Sequence, residues 1–122
     1  MATILVVDDD PVSQRLLGYT LAKAGHAVVA AANGREALRL MGEQRPDLLI
    51  LDLAMPEMDG VTMLRHLRGS ADYRELPVIM LTASGLDSDA RAARAAGVTD
   101  FLTKPLRPAD LTARVQRLLG PE

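Results

Sequence analysis

Five side chains stand out for the chemistry they could do together: the carboxyls of Asp8, Asp9 and Asp52, the hydroxyl of Thr82 and the ammonium of Lys104. Asp52 closes the run LLILD, in which four apolar residues lead directly into a carboxylate. A charge at the edge of a core is costly unless it finds partners. Carboxylates about 4 Å apart repel by roughly 4 kcal/mol per pair at an effective dielectric near 20, so three brought together call for a cation. One lysine does not neutralise three acids. A divalent ion plus Lys104 does, and leaves room for an anion. An all-oxygen cup without His or Cys suits Mg2+, with Mn2+ as a substitute. A phosphoryl group is the anion of matching chemistry: its transfer needs an oxygen nucleophile, a metal bridging its oxygens and a further cation. Asp52 can be that nucleophile and form an aspartyl phosphate. Thr82 can donate its hydroxyl to a phosphoryl oxygen, and Ala83 is small enough for its backbone N–H to approach closely.

The elements that must position these groups alternate regularly. Short apolar runs at 4–7, 27–31, 48–51, 78–81 and 99–103 read as strands. The third and fourth are apolar throughout, as buried parallel strands are. The second is weakened by alanine, and the fifth is mixed and belongs nearer an edge. Between them lie helical periods. Val12, Leu16, Leu17, Leu21 and Ala24 share one face, with Gly25 as the stop; Ala37, Leu38 and Met41 repeat the pattern and end at Gly42 and Pro46. Val61, Leu64 and Leu67 end at Gly69, an Ala/Arg-rich helix over 87–96 ends at Gly97, and Leu111, Val115, Leu118 and Leu119 make the last. This alternation predicts an α/β fold of three layers, a doubly wound (βα)5 with a five-stranded parallel sheet. In the flavodoxin-like order 2-1-3-4-5, strand 2 is an outer edge and strand 1 lies beside strand 3. Asp8, Asp9 and Asp52 then converge at the switch point, outside the carboxyl ends of the strands, with Thr82 and Lys104 on the next two strands.

At 122 residues the chain has the size of one domain. A net charge of −2 with no basic tail argues against nucleic-acid binding by charge. Cysteine is absent, which excludes disulfides and thiolate metal sites. The N-terminal apolar run is too short for a signal peptide or a membrane span, so a cytoplasmic setting is expected. No GxGxxG follows the first strand and no GxxxxGK[ST] occurs, which sets a nucleotide-binding fold aside.

Four segments, ILVVDDDP, LLILDLAMPEMDG, VIMLTA and DFLTKP, resemble in order and spacing the receiver domain of two-component response regulators, including the chemotaxis regulators. The resemblance covers nearly all of 1–122, read as a single receiver domain with no output domain in the chain. It implies that Asp52 is the phosphoacceptor, that Asp9 binds Mg2+ directly with Asp8 acting nearby through water, and that the Ala54 backbone carbonyl is a further metal ligand. It implies that Thr82 and Lys104 hold the phosphoryl group, that the Lys104–Pro105 bond is cis, and that Phe101 is the aromatic switch coupled to Thr82. The face made by helix 4, strand 5 and helix 5 would then change for partner binding. The donor would be a phosphohistidine on a sensor histidine kinase or phosphotransfer protein, and the recipient of the signal a target protein or a missing output domain. The protein would be a monomer or a phosphorylation-dependent homodimer, with no nucleic-acid or membrane partner through this domain. Ala54 and Ser84 fall where the family tunes self-dephosphorylation; both are small, which implies open access for water. The domain would catalyse only its own phosphorylation and dephosphorylation. Phosphohydrolases of the haloacid dehalogenase type need a second aspartate two positions after the nucleophile, and Ala54 stands there.

Other polar residues have plainer readings. Asp10–Pro11 is a helix start and Asp59–Gly60 a turn leading into a helix. His26 and His66 have no ligand-spaced partner. Arg91 and Arg94 form a solvated helix face bordering the signalling surface.

Overall fold

The structure is a computed structural model that describes residues 2–55, 58–83 and 87–120. Strands and helices alternate: β1 (Thr3–Val7), α1 (Pro11–Lys23), β2 (Ala27–Ala31), α2 (Gly34–Glu43), β3 (Leu48–Asp52), α3 (Gly60–Arg68), β4 (Val78–Thr82), α4 (Asp87–Ala95), β5 (Asp100–Thr103) and α5 (Pro108–Leu119). All strand pairs are parallel, in the order β2-β1-β3-β4-β5. The expected order is therefore the observed one. Alanine-rich β2 is one edge and mixed β5 the other, while every residue of β3 and β4 is buried.

The continuous apolar runs resolve into two faces with a period of two. Leu5, Val7, Leu49, Leu51, Val78 and Met80 pack with residues of α2, α3 and α4. Their alternates Ile4, Val6, Leu48, Ile50, Ile79 and Leu81 pack with Leu17 and Leu21 of α1 and Leu111 and Val115 of α5. Each such side chain contributes about 1.5–3 kcal/mol on burial. Aliphatic residues and methionine build this core with one Phe and two Tyr in the whole chain.

Two helix expectations are corrected. In α1 only Leu17 and Leu21 of the expected apolar face are buried; Val12 is 62% and Leu16 65% exposed, and Ala24 is exposed. The inward stripe instead begins at half-buried Ser13 and Gln14, because the end of β1 presents polar groups to the first turn of α1. In α2, Gly42 does not stop the helix, which runs to Glu43, tied by the Arg39–Glu43 ion pair at 2.9 Å. The chain leaves the helix at extended Gln44, two residues before Pro46, whose ring disfavours helical geometry at the residue preceding it. The capping readings hold. Asp10 Oδ1 accepts the Val12 N–H at 3.1 Å with Pro11 opening the helix, and Asp59 Oδ1 accepts the Thr62 N–H at 2.8 Å.

Arg68, at the end of α3, clamps three segments. Its guanidinium donates to the carbonyls of Gly97 (2.8 Å), Tyr73 (3.0 Å) and Leu76 (2.7 Å) and to the Thr99 hydroxyl (3.3 Å). Gly97 takes a positive φ of 95°, and a Cβ there would lie 3.1 Å from Arg68 Cγ, so both backbone and space favour glycine. Replacing Arg68 by Met keeps the stem and strands the carbonyls. The expected loss is about 2–3 kcal/mol of unfolding free energy, read from the urea midpoint at unchanged slope.

Candidate functional site

The polar residues gather at the carboxyl edge of the sheet. Asp8 follows β1, its N–H donating to the Ala31 carbonyl at 3.0 Å. Its side chain is 1% exposed: Oδ1 accepts the Asp10 N–H at 2.9 Å, while Oδ2 accepts the Ser13 hydroxyl at 2.5 Å and the Lys104 ammonium at 3.2 Å. Asp52 ends β3 and is also buried; its Oδ1 lies 3.7 Å from Lys104 Nζ. Asp9 is exposed. One carboxylate oxygen from each of Asp8, Asp9 and Asp52 lies within 4.8 Å of the others. Lys104 reaches the cup from just beyond β5, where its backbone N–H donates to the Thr82 carbonyl at 2.7 Å. The Lys104–Pro105 bond is cis.

The electrostatics follow from this crowding. The Asp52 carboxyl is pushed up to about 6, first by burial and then by the charge of Asp8, with Asp9 adding to the rise. Lys104 and a hydrogen bond from the Ala54 backbone pull the other way without cancelling it. Buried Thr82 ends β4, and Ala54, Thr82 and exposed Ala83 line one cleft whose other wall includes Arg65 of α3 and Asp89 of α4. Phe101 sits on β5 opposite Met80, partly buried against the α2–α4 side of the core. Ser84 lies outside the described residues. Both histidines stay out of the site: among the described residues the cluster of three potential ligands is Asp8, Asp9 and Asp52.

Three residues of the site were not singled out by sequence reasoning. Ser13 and Gln14 were hidden because apolar periodicity pointed to their neighbours; the Gln14 amide donates to the carbonyls of Asp8 (2.8 Å) and Ala31 (2.9 Å), tying two strand ends together. Gly60 was read as a turn residue. Its N–H donates to the Leu53 carbonyl at 2.8 Å, and a Cβ there would lie 2.6 Å from the Asp52 carbonyl oxygen. Only glycine lets α3 start this close to the end of β3.

A profile of the response regulator receiver domain matches residues 4–116. The chain belongs to that family. Response regulator MprA of Mycolicibacterium vanbaalenii is 42% identical over 116 residues, 95% of this chain and 49% of that protein. The chain thus spans about half the length of that regulator, and much the same holds for AfsQ1 of Streptomyces coelicolor, at 52%. Among solved structures, chemotaxis protein CheY4 of Vibrio cholerae is 36% identical, covers 97% of this chain and 98% of its own, and superposes with a TM-score of 0.91. The receiver domain of a sensor histidine kinase from Pseudomonas aeruginosa PAO1 is 35% identical, with 98% coverage of both chains and a TM-score of 0.90; that structure has a magnesium ion coordinated in its active-site cleft. The acidic cup of this receiver, with three carboxylates and one nearby ammonium among the described residues, has the donor chemistry of a Mg2+ site.

The raised Asp52 value carries a stability consequence. The folded chain holds this proton up to about pH 6, whereas the unfolded chain releases it near 3.8. Between those values the folded state binds more protons, so stability falls as pH rises through the window and the cost persists at neutral pH. In the absence of divalent ions, Asp52→Asn is expected to raise the thermal midpoint near pH 7, by a gain on the order of 2–3 kcal/mol. The gain should vanish below about pH 4, where the carboxyl is protonated in both states; a pH series of thermal melts of both proteins checks it.

Proposed function

We propose that Asp52 is the phosphoacceptor of this receiver and takes its phosphoryl group from a phosphohistidine on a sensor histidine kinase or phosphotransfer protein. The observation that carries the reading is the Lys104 ammonium, placed 3.2 Å from Asp8 and 3.7 Å from Asp52 at the rim of a three-carboxylate cup. An Asp52 carboxylate oxygen attacks phosphorus, the P–N bond breaks, and its electron pair returns to the imidazole, which takes a proton from solvent. Thr82 donates its hydroxyl and Ala83 its N–H to the phosphoryl oxygens, and Lys104 turns from Asp8 to pair with them. Asp9, Asp52 and the Ala54 carbonyl would hold Mg2+, or Mn2+ in its place, with Asp8 one water away. When bound, the ion supplies positive charge that offsets the acids and the incoming phosphoryl oxygens. The same groups serve attack by water when the acyl phosphate is hydrolysed. Ala54 offers no general acid for turnover on an external phosphomonoester, so the domain acts only on itself.

The donor surface is α1. Val12, Leu16 and Tyr19 form an exposed apolar stripe, and the first two line a groove with Ser13, Lys104 and Pro105 that opens beside the cup. A partner helix carrying the phosphohistidine can bury that stripe while its imidazole reaches Asp52. The exchange is placed in the cytoplasm as part of this proposal. Among the described residues no helix is long and apolar enough to cross a membrane.

Modification adds about −1.5 to −2 charge at Asp52, by analogy with other phosphorylated side chains. The response runs from Thr82 to Phe101 on β5 and changes the α4–β5–α5 face, where Arg91 and Arg94 are exposed and Asp100 is held by Arg114 (2.7 Å) and Arg117 (3.1 Å). That face takes a target protein, a second copy or an output domain carried elsewhere in a longer chain. Nucleic acid is no partner of this domain.

With Mg2+ and a small acyl phosphate such as acetyl phosphate, intact mass should rise by one phosphoryl group, and Asp52→Asn should not gain it. No gain in the wild-type chain contradicts the reading. Leu16→Glu is expected to leave modification by the small donor unchanged and to slow transfer from a phosphohistidine protein at least tenfold; equal slowing with both donors contradicts α1 as the docking face.

A further inference from the structure

We propose that Ser13 is the positioning residue of the acidic cup: its hydroxyl decides which oxygen of Asp8 is left to face a divalent ion. The inference rests on reading the cup as a cation site and concerns a residue outside the acid set itself. An ionised carboxylate has about four acceptor sites, two on each oxygen. In Asp8 the Oδ2 sites are both taken, by the Ser13 hydroxyl at 2.5 Å and Lys104 Nζ at 3.2 Å. Oδ1 accepts only the Asp10 N–H, at 2.9 Å, among the described residues, and so keeps one site open.

The two bonds to Oδ2 differ in permanence. Lys104 is the longer contact, sits on a flexible stem and is also drawn toward Asp52 at 3.7 Å. Ser13 has one rotatable bond and stands on the first turn of α1, which Gln14 fastens to the ends of β1 and β2 through the Asp8 and Ala31 carbonyls. When Lys104 turns away, the Ser13 hydroxyl on Oδ2 and the Asp10 N–H on Oδ1 still hold the carboxylate in the rotation that turns the open site of Oδ1 to the cup. The first turn of α1 turns half-buried Ser13 and Gln14 toward the end of β1, with exposed Val12 and Leu16 facing out. Partners that orient a ligating or near-ligating carboxylate typically change metal affinity by 10- to 100-fold when removed, about tenfold being apt for a single neutral donor.

Two measurements test this on the intact chain. In a Mn2+ titration followed by electron paramagnetic resonance, Ser13→Ala should weaken binding about tenfold and Ser13→Thr, which restores a hydroxyl, should return it to within about twofold of wild type. Without metal, amide exchange at Asp10 should speed up in Ser13→Ala, because its acceptor Oδ1 is no longer held, and recover in Ser13→Thr. A merely structural serine would instead lower protection across α1 and the sheet in step with global stability. Wild-type affinity in Ser13→Ala, tighter binding, or a threonine variant no better than alanine overturns the proposal while the cation site stands. Failure of the wild-type chain to bind Mn2+ at millimolar concentration overturns both, and the receiver chemistry proposed above with them.

Discussion

The structure depends on an imbalance of charge held at one edge of the sheet. Asp8, Asp9 and Asp52 bring three carboxylates within 4.8 Å of one another, and Lys104 is the ammonium within ion-pair reach of two of them. Burial of Asp52, and after it the charge of Asp8, holds the Asp52 carboxyl proton to about pH 6. A fold optimised for rest alone would replace one acid with an apolar or amide side chain. Keeping all three leaves an edge with the donor chemistry of a divalent-cation site. The chemistry of a receiver is thus stored as an unmet electrostatic demand in the resting chain.

The rest of the fold makes that demand rigid. The fully buried strands β3 and β4 put Asp52 and Thr82 at fixed heights, with Asp52 opposite Leu81 in the parallel register. Gly60 lets α3 start against the Asp52 carbonyl, so the backbone around Asp52 is braced. On the opposite side, α1 is fastened by the Asp10 cap and by Ser13 and Gln14. Arg68 ties the loop after α4 to α3 and to the entry of β4.

Much of this was legible in the sequence, for identifiable reasons. The runs at 48–51 and 78–81 could be read as strands because parallel strands buried on both faces are apolar throughout. The acids, Thr82 and Lys104 could be gathered before any coordinates because each sits where a strand stops, and α/β sheets collect ligands there. What was misread shares one cause: contacts between residues far apart in the chain leave no local pattern. The face of α1 was assigned by its leucines and Val12, but the polar end of β1 turned Ser13 and Gln14 inward and Val12 and Leu16 outward. Gly60 looked like turn chemistry, whereas its constraint is the carbonyl of Asp52. Arg68 matched no motif, since its partners are main-chain carbonyls as far away as Gly97.

The account stands or falls on where a divalent ion sits. Crystals grown with Mn2+ and measured at a wavelength where manganese scatters anomalously locate the ion without reference to any assumed site. The expected result is one strong anomalous peak at coordination distance from an oxygen of Asp9 and an oxygen of Asp52, with Asp8 Oδ1 turned toward it and the Lys104 ammonium beside it. A peak elsewhere on the surface, or none at saturating Mn2+, would contradict the reading of the three carboxylates as a cation-dependent acceptor site.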